Sequence, residues 1–291
     1  MLLRGDRAGC AIIAQIHCIM PSSPERSNAL PAIASADLIA GMAKGMAVLE
    51  SFDTERQRLN ATQAAERTGM TRAAARRHLL TLAHLGYVES DGSHFWLSPK
   101  VLRFSGSYLA SARLPRVLQP MLSRLSATTQ ESFSAVVLDG DEVVIVARSG
   151  NESRQHLIGM DRLLAYGLHL GARLPAHATS TGQVLLAAKS RPELAAWLKN
   201  RTLTRLTAHT ITDARALRLR MAQVAQEDFC LALQEHELGV QALAVPLRNP
   251  QGRVVAALNM VTATHQKPSE HLLRDGLPLL QAAANELRAM L

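Results

Sequence analysis

The sequence predicts an α+β protein made of a small helical N-terminal part that ends in a hairpin and a larger C-terminal part built on an antiparallel sheet. Three observations lead there. Residues 60–82, NATQAAERTGMTRAAARRHLLTL, read as two short helices about a tight turn. Residues 87–97 follow as two short alternating runs around Asp91 and Gly92, a favoured hairpin dipeptide. Beyond residue 114, paired apolar runs such as FSAVVLDGDEVVIVARSG alternate with amphipathic stretches, the pattern of helices packed on an antiparallel sheet. At 291 residues the chain has room for two hydrophobic cores.

In the N-terminal part, Thr62 is expected to cap the first helix by accepting a bond from an unpaired backbone N–H, and Gly69 to end it in the left-handed conformation. Thr71 then caps a second helix. Within it Ala75, Leu79 and Leu82 recur at i, i+4 and i+7 as a buried stripe, so Ala73, Arg76 and Arg77 point outward. Ala73 and Ala74 are small enough to bring this helix close to a surface, and Gly86 closes it. Helix, turn, helix, hairpin is the order of a winged helix-turn-helix, predicted over residues 38–98 with the two helices at about 60–79. In that motif the second helix lies in the major groove and the hairpin touches the backbone beside it. Candidate DNA contacts are therefore Thr62, Thr71, Arg72, Ala73, Arg76 and Arg77, with Ser93 and His94 from the hairpin loop. The plainer alternative for the arginines is a solvated face on a small helical subdomain.

Charge agrees with a nucleic-acid partner. The chain carries a formal +8, and residues 54–82 hold six arginines against two glutamates. Such a patch neutralises phosphates and predicts salt-sensitive binding to double-stranded DNA. Proteins of this motif read two half-sites with two copies, so a pseudo-palindromic operator and a homodimer or homotetramer are expected.

No run of about 18 apolar residues is present, so no membrane span is expected, and DNA binding places the chain in the cytoplasm. Residues 1–37 are expected to form a disordered N-terminal extension. Its apolar run from Cys10 to Met20 is broken by Gln15 and His17, with no small-residue cleavage site before Pro21, and is not read as a signal peptide. Cys10, Cys18 and Cys230 form no CxxC pair and are read as free thiols. The spacing of Cys10, His17 and Cys18 is poor for zinc, and neither a metal nor a cofactor is expected.

Ser98 and Pro99 supply an N-cap and a first-turn proline for a linker helix over residues 99–113, with apolar Val101, Leu102, Tyr108 and Leu109 on more than one side. Such a helix is a candidate dimer contact. Residues 114–291 are read as an effector-binding and oligomerisation domain. A helix over PRVLQPMLSRLSATTQE precedes a hairpin turning at Asp139 to Asp141; strands from Val240 and from Gly252 are joined through Asn249 to Gly252. Helices are expected at about 181–189, 192–198, 213–228 and 269–290. Long loops on one face of such a sheet are natural walls for a small-molecule pocket.

Over about residues 38–287 the chain resembles the IclR family of bacterial transcriptional regulators. The likeness rests on AERTGMTRAAARRHLLTLAHLGYV, GARLPAHATSTGQVLLA from Gly171 and ELGVQALAVPLRNPQGRVVAALN from Glu237, in that order across both domains. KGMAVLESF before the first segment and FWLSPKVLRFSGSYLASARLP after it are most similar to members that regulate protocatechuate, 4-hydroxybenzoate and related aromatic-acid catabolism. The resemblance implies a GAF-like effector domain that binds a small carboxylate, here an aromatic acid. It would be held partly by backbone amides at a helix start, which in this chain are those of Ser180 and Thr181 just after Thr179. A helix N-terminus offers unpaired N–H groups and a partial positive charge.

By position, the resemblance further implies walls from Ala242, Asn259, Val261 and the stretch from Ala232 to Gln234. Tyr166, one of few aromatic residues in this domain, is the candidate for stacking on a ring. Plain packing is the other reading of Tyr166, and backbone satisfaction that of Asn259. The chain departs from the family pattern at Leu231 to Gln234, where many relatives have an acidic residue, at Gln183, where lysine or arginine is common, and in a longer segment from Arg148 to Gly171. A short aliphatic keto or hydroxy acid is the alternative effector.

An enzyme is the competing class. His169, His177, His209 and His236 suit acid–base work, and Arg173 suits a substrate carboxylate. The sequence lacks a G-x-S-x-G elbow, an H-E-x-x-H pair, a P-loop and a dinucleotide glycine fingerprint, so no catalysis is expected. His177 is read instead as orienting the helix start.

Overall fold

The computed structural model describes residues 34, 36–53, 56–150 and 169–291. Tyr166, Cys10, His17, Cys18 and most of the expected N-terminal extension lie outside the described residues. The chain divides after Tyr108 into two units.

The N-terminal unit contains α1 (Ala40–Glu50), α2 (Ala61–Thr68), α3 (Arg72–His84), β1 (Val88–Ser90) and β2 (Phe95–Leu97). Asn60, not Thr62, is the N-cap of α2. Its Oδ1 accepts from the N–H groups of Thr62 and Gln63, each at 3.0 Å, while Gln63 Oε1 accepts from the Asn60 N–H at 2.9 Å. This reciprocal capping box fixes the frame two residues earlier than the threonine suggested, and Thr62 becomes an exposed residue of the first turn. Removing the box by Asn60→Ala is expected to cost about 1 kcal/mol. The check is the urea midpoint of this unit; an unshifted midpoint would mean the box is dispensable.

The rest of this unit follows the sequence pattern. Gly69 ends α2 with φ 65°, and Thr71 Oγ1 caps α3 by accepting from Ala74 N–H at 3.2 Å. Ala75, Leu79 and Leu82 enter a core with Val48, Phe52, Leu59, Ala64, Val88 and Phe95. The hairpin differs in its turn. Ser90 pairs with Phe95, so the loop has four residues, Asp91 to His94. Asp91 Oδ1 accepts from the N–H groups of Ser93 at 3.0 Å and His94 at 2.8 Å, a motif that needs both extra residues and holds the Asp91 carboxyl down to about 2.

Ser98 caps a 3₁₀ turn (Pro99–Val101) by accepting from Lys100 N–H at 3.2 Å. Then come α4 (Leu102–Ser111) and α5 (Arg113–Thr129), separated at Ala112, where ψ is 129°. The expected linker helix thus stops at Ser111. After it, β3 (Ser132–Asp139), β4 (Glu142–Ser149), β5 (Arg173–Pro175), β6 (Cys230–Leu233), β7 (Val240–Arg248) and β8 (Val254–Ala263) form one antiparallel sheet in the order β5-β4-β3-β8-β7-β6.

Alternation along the strands sends side chains to two cores. Phe133, Leu243, Leu247 and Leu258 meet Leu118 and Leu122 of α5 and Leu280 of α10 (Leu277–Arg288), which follows α9 (Ser269–His271) through a π turn (Leu272–Gly276). On the other face Val136, Ile145, Ala244 and Ala257 meet α6 (Ser180–Ala187), α7 (Arg191–Leu198) and α8 (Ala214–Glu227). Among the described residues no helix is long and apolar enough to cross a membrane.

At the outer side of β7, β6 pairs only with Gln241 to Ala244. On that side Val245 to Arg248 have no strand beside them among the described residues, and Arg248 pairs there with Asp228, the C-cap of α8, through bonds of 2.6 and 2.8 Å.

Candidate DNA-reading face and effector pocket

The outward side of α3 is basic because its inward side is apolar. Arg72, Ala73, Arg76 and Arg77 are exposed opposite Ala75, Leu79 and Leu82. Among the described residues none of these arginines pairs with an acid. Thr71 sits at the helix start and Thr62 on the first turn of α2, both exposed. The wing is tied to this body by Arg58, whose guanidinium lies 4.3 Å over the Trp96 ring and bonds Asp91 at 2.8 Å. Ser93 is exposed at the loop tip and His94 is half-buried; Ser93 Oγ lies 2.9 Å from His94 Nδ1.

In the C-terminal unit, a cavity of about 100 Å³ opens between the sheet and the start of α6. It exists because that part of the sheet is paved with small side chains. Ala232 stands beside Ala242, Ala242 beside Val261, and Ser134 beside Asn259, where larger residues would have filled the space. Cavities of roughly 150 Å³ with apolar walls accept a benzene ring, so one small ring is the right scale.

The ceiling is the α6 N-terminus. Thr179 caps it, with Oγ1 accepting from Gly182 N–H at 3.2 Å, and the first-turn amides of Ser180 and Thr181 have no intrahelical acceptor. Gly182 allows the 3₁₀ turn Ala176–Ala178 to lie against this helix: an added Cβ would fall 2.2 Å from Ala176 O. His177, buried in that turn, is satisfied by Thr204 O at 3.0 Å from Nε2.

Among the described residues, two buried side-chain atoms of the walls have no partner: Ser180 Oγ and Asn259 Oδ1. Buried polar atoms are nearly always bonded, so two such atoms on residues lining one cavity are candidates to bond a ligand; Thr262 Oγ1, away from the cavity, is a third. The remaining wall is the loop after β6. Glu235, His236 and Glu237 line the cavity. Burial raises the pKa of Glu235 and of Glu237, while burial and His177 lower that of His236.

Of the residues named from sequence, Thr179, Ser180, Thr181, Ala242, Asn259 and Val261 come together around this one cavity. Gln234 does not. It adopts φ 57°, and its Oε1 accepts from Gly239 N–H at 2.9 Å, which turns the chain so that the next three residues face inward. Arg173 is not available for a carboxylate either, being paired with Glu142 at 2.6 Å and Asp139 at 2.7 Å. Gln183, fully buried, bridges Glu235 on one side and Arg220 of α8 on the other. The thiol of Cys230 beside it is pushed up to about 12 by burial, which makes it an inert packing group.

A basic helix-turn-helix joined in one chain to a small-molecule pocket defines a ligand-responsive transcription regulator. The chain belongs to the IclR family: the IclR helix-turn-helix domain matches residues 41–92, and the bacterial transcriptional regulator IclR C-terminal domain matches residues 106–289. It is 51% identical over 255 residues to the Pca operon regulatory protein of Acinetobacter baylyi (strain ATCC 33305 / BD413 / ADP1), covering 88% of this chain and 90% of that one. It is 52% identical over 256 residues to the p-hydroxybenzoate hydroxylase transcriptional activator of the same strain, covering 88% and 93%. Its fold is similar to the crystal structure of a double mutant of the PobR inducer-binding domain from Acinetobacter in complex with 3-hydroxybenzoic acid. That match has a TM-score of 0.56 and 46% identity, over 61% of this chain and 98% of that one.

Proposed function

We propose that this protein regulates transcription of genes for aromatic-acid catabolism by binding operator DNA and a hydroxybenzoate-like effector, and that its pocket works by binding rather than by catalysis. The observation that carries this is the pair of unpartnered buried atoms, Ser180 Oγ and Asn259 Oδ1, facing the same ring-sized cavity as the α6 N-terminus. The amides of Ser180 and Thr181 take the effector carboxylate, with Ser180 Oγ beside them. Ala242 and Val261 pack on the ring. The aromatic-acid regulators to which the chain is similar support the effector class.

DNA is read by α3 through Arg72, Ala73, Arg76 and Arg77, with Thr62 and Thr71 at the helix starts and Ser93 and His94 from the wing. The operator is pseudo-palindromic, and a homodimer or homotetramer in the cytoplasm spans it. Leu102, strongly exposed on α4, is an apolar group a second copy would cover. The effector acts by its different affinity for the arrangements that bind and release DNA.

Thermal unfolding with protocatechuate, hydroxybenzoates and short keto acids at one fixed salt concentration tests the effector. At one hundred times its dissociation constant the true effector adds about 2.7 kcal/mol of stability. That gain is expected for an aromatic acid and is reduced in Ser180→Ala and Asn259→Ala. Stabilisation by a short keto acid alone would remove the aromatic assignment.

A further inference from the structure

We propose that Glu235 serves the pocket as a neutral carboxylic acid that donates a hydrogen bond, so that an anionic effector binds together with one proton. The inference rests on the effector reading above and adds the protonation state of its site. Glu235 is 8% exposed and lines the cavity. Its Oε2 accepts from Gln183 Nε2 at 2.6 Å, and Oε1 makes no hydrogen bond among the described residues.

Gln183 is saturated. Its Nε2 also donates to His177 O at 3.0 Å, and its Oε1 accepts from Arg220 Nε and from Cys230 Sγ, each at 3.2 Å. The Arg220 guanidinium is further occupied by Gln223 Oε1 at 3.2 Å and Leu231 O at 2.7 Å. No ion pair reaches Glu235 among the described residues. Burial raises the Glu235 pKa and outweighs the Gln183 amide donor and the Arg220 and His209 charges, which act the other way, so the net push is toward the protonated acid.

The opposite wall adds to this. An effector carboxylate at the Ser180 and Thr181 amides shares a cavity of about 100 Å³ with Glu235. Two ionised carboxyls lining one small cavity repel, which favours a proton on one of them. The other charged or titratable groups around Glu235 are His236 and Glu237 on its own loop, His177 from the 3₁₀ turn, His209 from the loop before α8, Arg220 and Glu227 of α8, and Cys230 of β6. Of these only Glu237 is a second acid in the wall. The sign follows: binding raises the Glu235 pKa, affinity is greatest below the pKa of the free protein, and it falls by up to about tenfold per pH unit above it.

Calorimetric titration of the full chain with 4-hydroxybenzoate, in two buffers of different ionisation heat and at several pH values, reads the protons taken up. The expected result is an uptake approaching one proton per site on the alkaline side, lost in Glu235→Gln with binding retained, and kept in Glu227→Gln, which lies outside the cavity wall. Binding without proton uptake at any pH in the unaltered protein, which needs no variant to fold, overturns the proposal. So does uptake that persists in Glu235→Gln. Absence of binding at every pH instead overturns the effector reading and this inference with it.

Discussion

Replacing Gly182 by alanine is expected to lower the stability of the C-terminal unit by about 3 kcal/mol and to abolish effector binding. The added methyl would meet Ala176 O at 2.2 Å, Ala176 Cα at 2.4 Å and the Ala176 carbonyl carbon at 2.6 Å. All three are backbone atoms, so no side chain can swing aside, and the 3₁₀ turn must part from α6. That movement also carries the Ser180 and Thr181 amides away from their common direction. For a unit of this size the melting temperature should fall by roughly 6–12 °C. Gly41→Ala is the control, because a methyl there meets nothing within 4 Å. If Gly182→Ala melts like the parent and still binds effector, the packing that forms the pocket ceiling is wrong as described.

Arg76→Ala should weaken operator binding by about 1–3 kcal/mol, roughly 5- to 150-fold, with a loss of preference at one base position if Arg76 reads a guanine. Arg76 lies on the exposed side of α3, between the core residue Ala75 and exposed Arg77, so its removal leaves the fold intact. Affinity measured against a panel of single-base operator variants decides the role. An equal loss on every sequence, with a salt slope smaller by about 0.9, would make Arg76 a phosphate contact. No loss on any sequence would argue against α3 as the reading helix.

Which parts were legible in the sequence follows from how local their causes are. The stop of α2 at Gly69, the cap at Thr71 and the stripe Ala75, Leu79, Leu82 are each fixed by residues within two turns. The β3–β4 turn is equally local, with Gly140 at φ 64°. By contrast α1 has only Val48 buried and exposes Met42 and Met46, so no apolar stripe announces it. Strands β5 and β6, of three and four residues, are too short for alternation to stand out, and exist because β4 and β7 offer them edges. At α2 two good capping residues stood two apart, and only the glutamine three places after Asn60 separates them.

The pocket shows the same division. The chain alone predicts a helix from about Thr181, while the family resemblance is what singles out Thr179 to Thr181 as its start beside the pocket. The inward turn of Glu235 to Glu237 depends on the left-handed Gln234 and its bond to Gly239, and a Gln followed five residues later by Gly is too weak a signal to find it. The contact of Gln183 with Arg220 joins residues 37 apart across two helices, and nothing local encodes it.

Among the described residues the end of β7 beyond Ala244 has no strand on its outer side. Gln234 N–H donates to Val240 O on the side of β6, and alternation along the strand turns position 246 to that same side. Position 246 is a proline, which has no N–H to offer an incoming strand. Two residues on, Arg248 and Asp228 place a bonded pair of charges across the same edge. An unpaired strand edge can template edge-to-edge pairing between molecules, and proline with charge is how natural sheets blunt it. Pro246→Val would restore the missing donor at a buried position of the strand, and light scattering at high concentration is expected to show more association between molecules than in the parent.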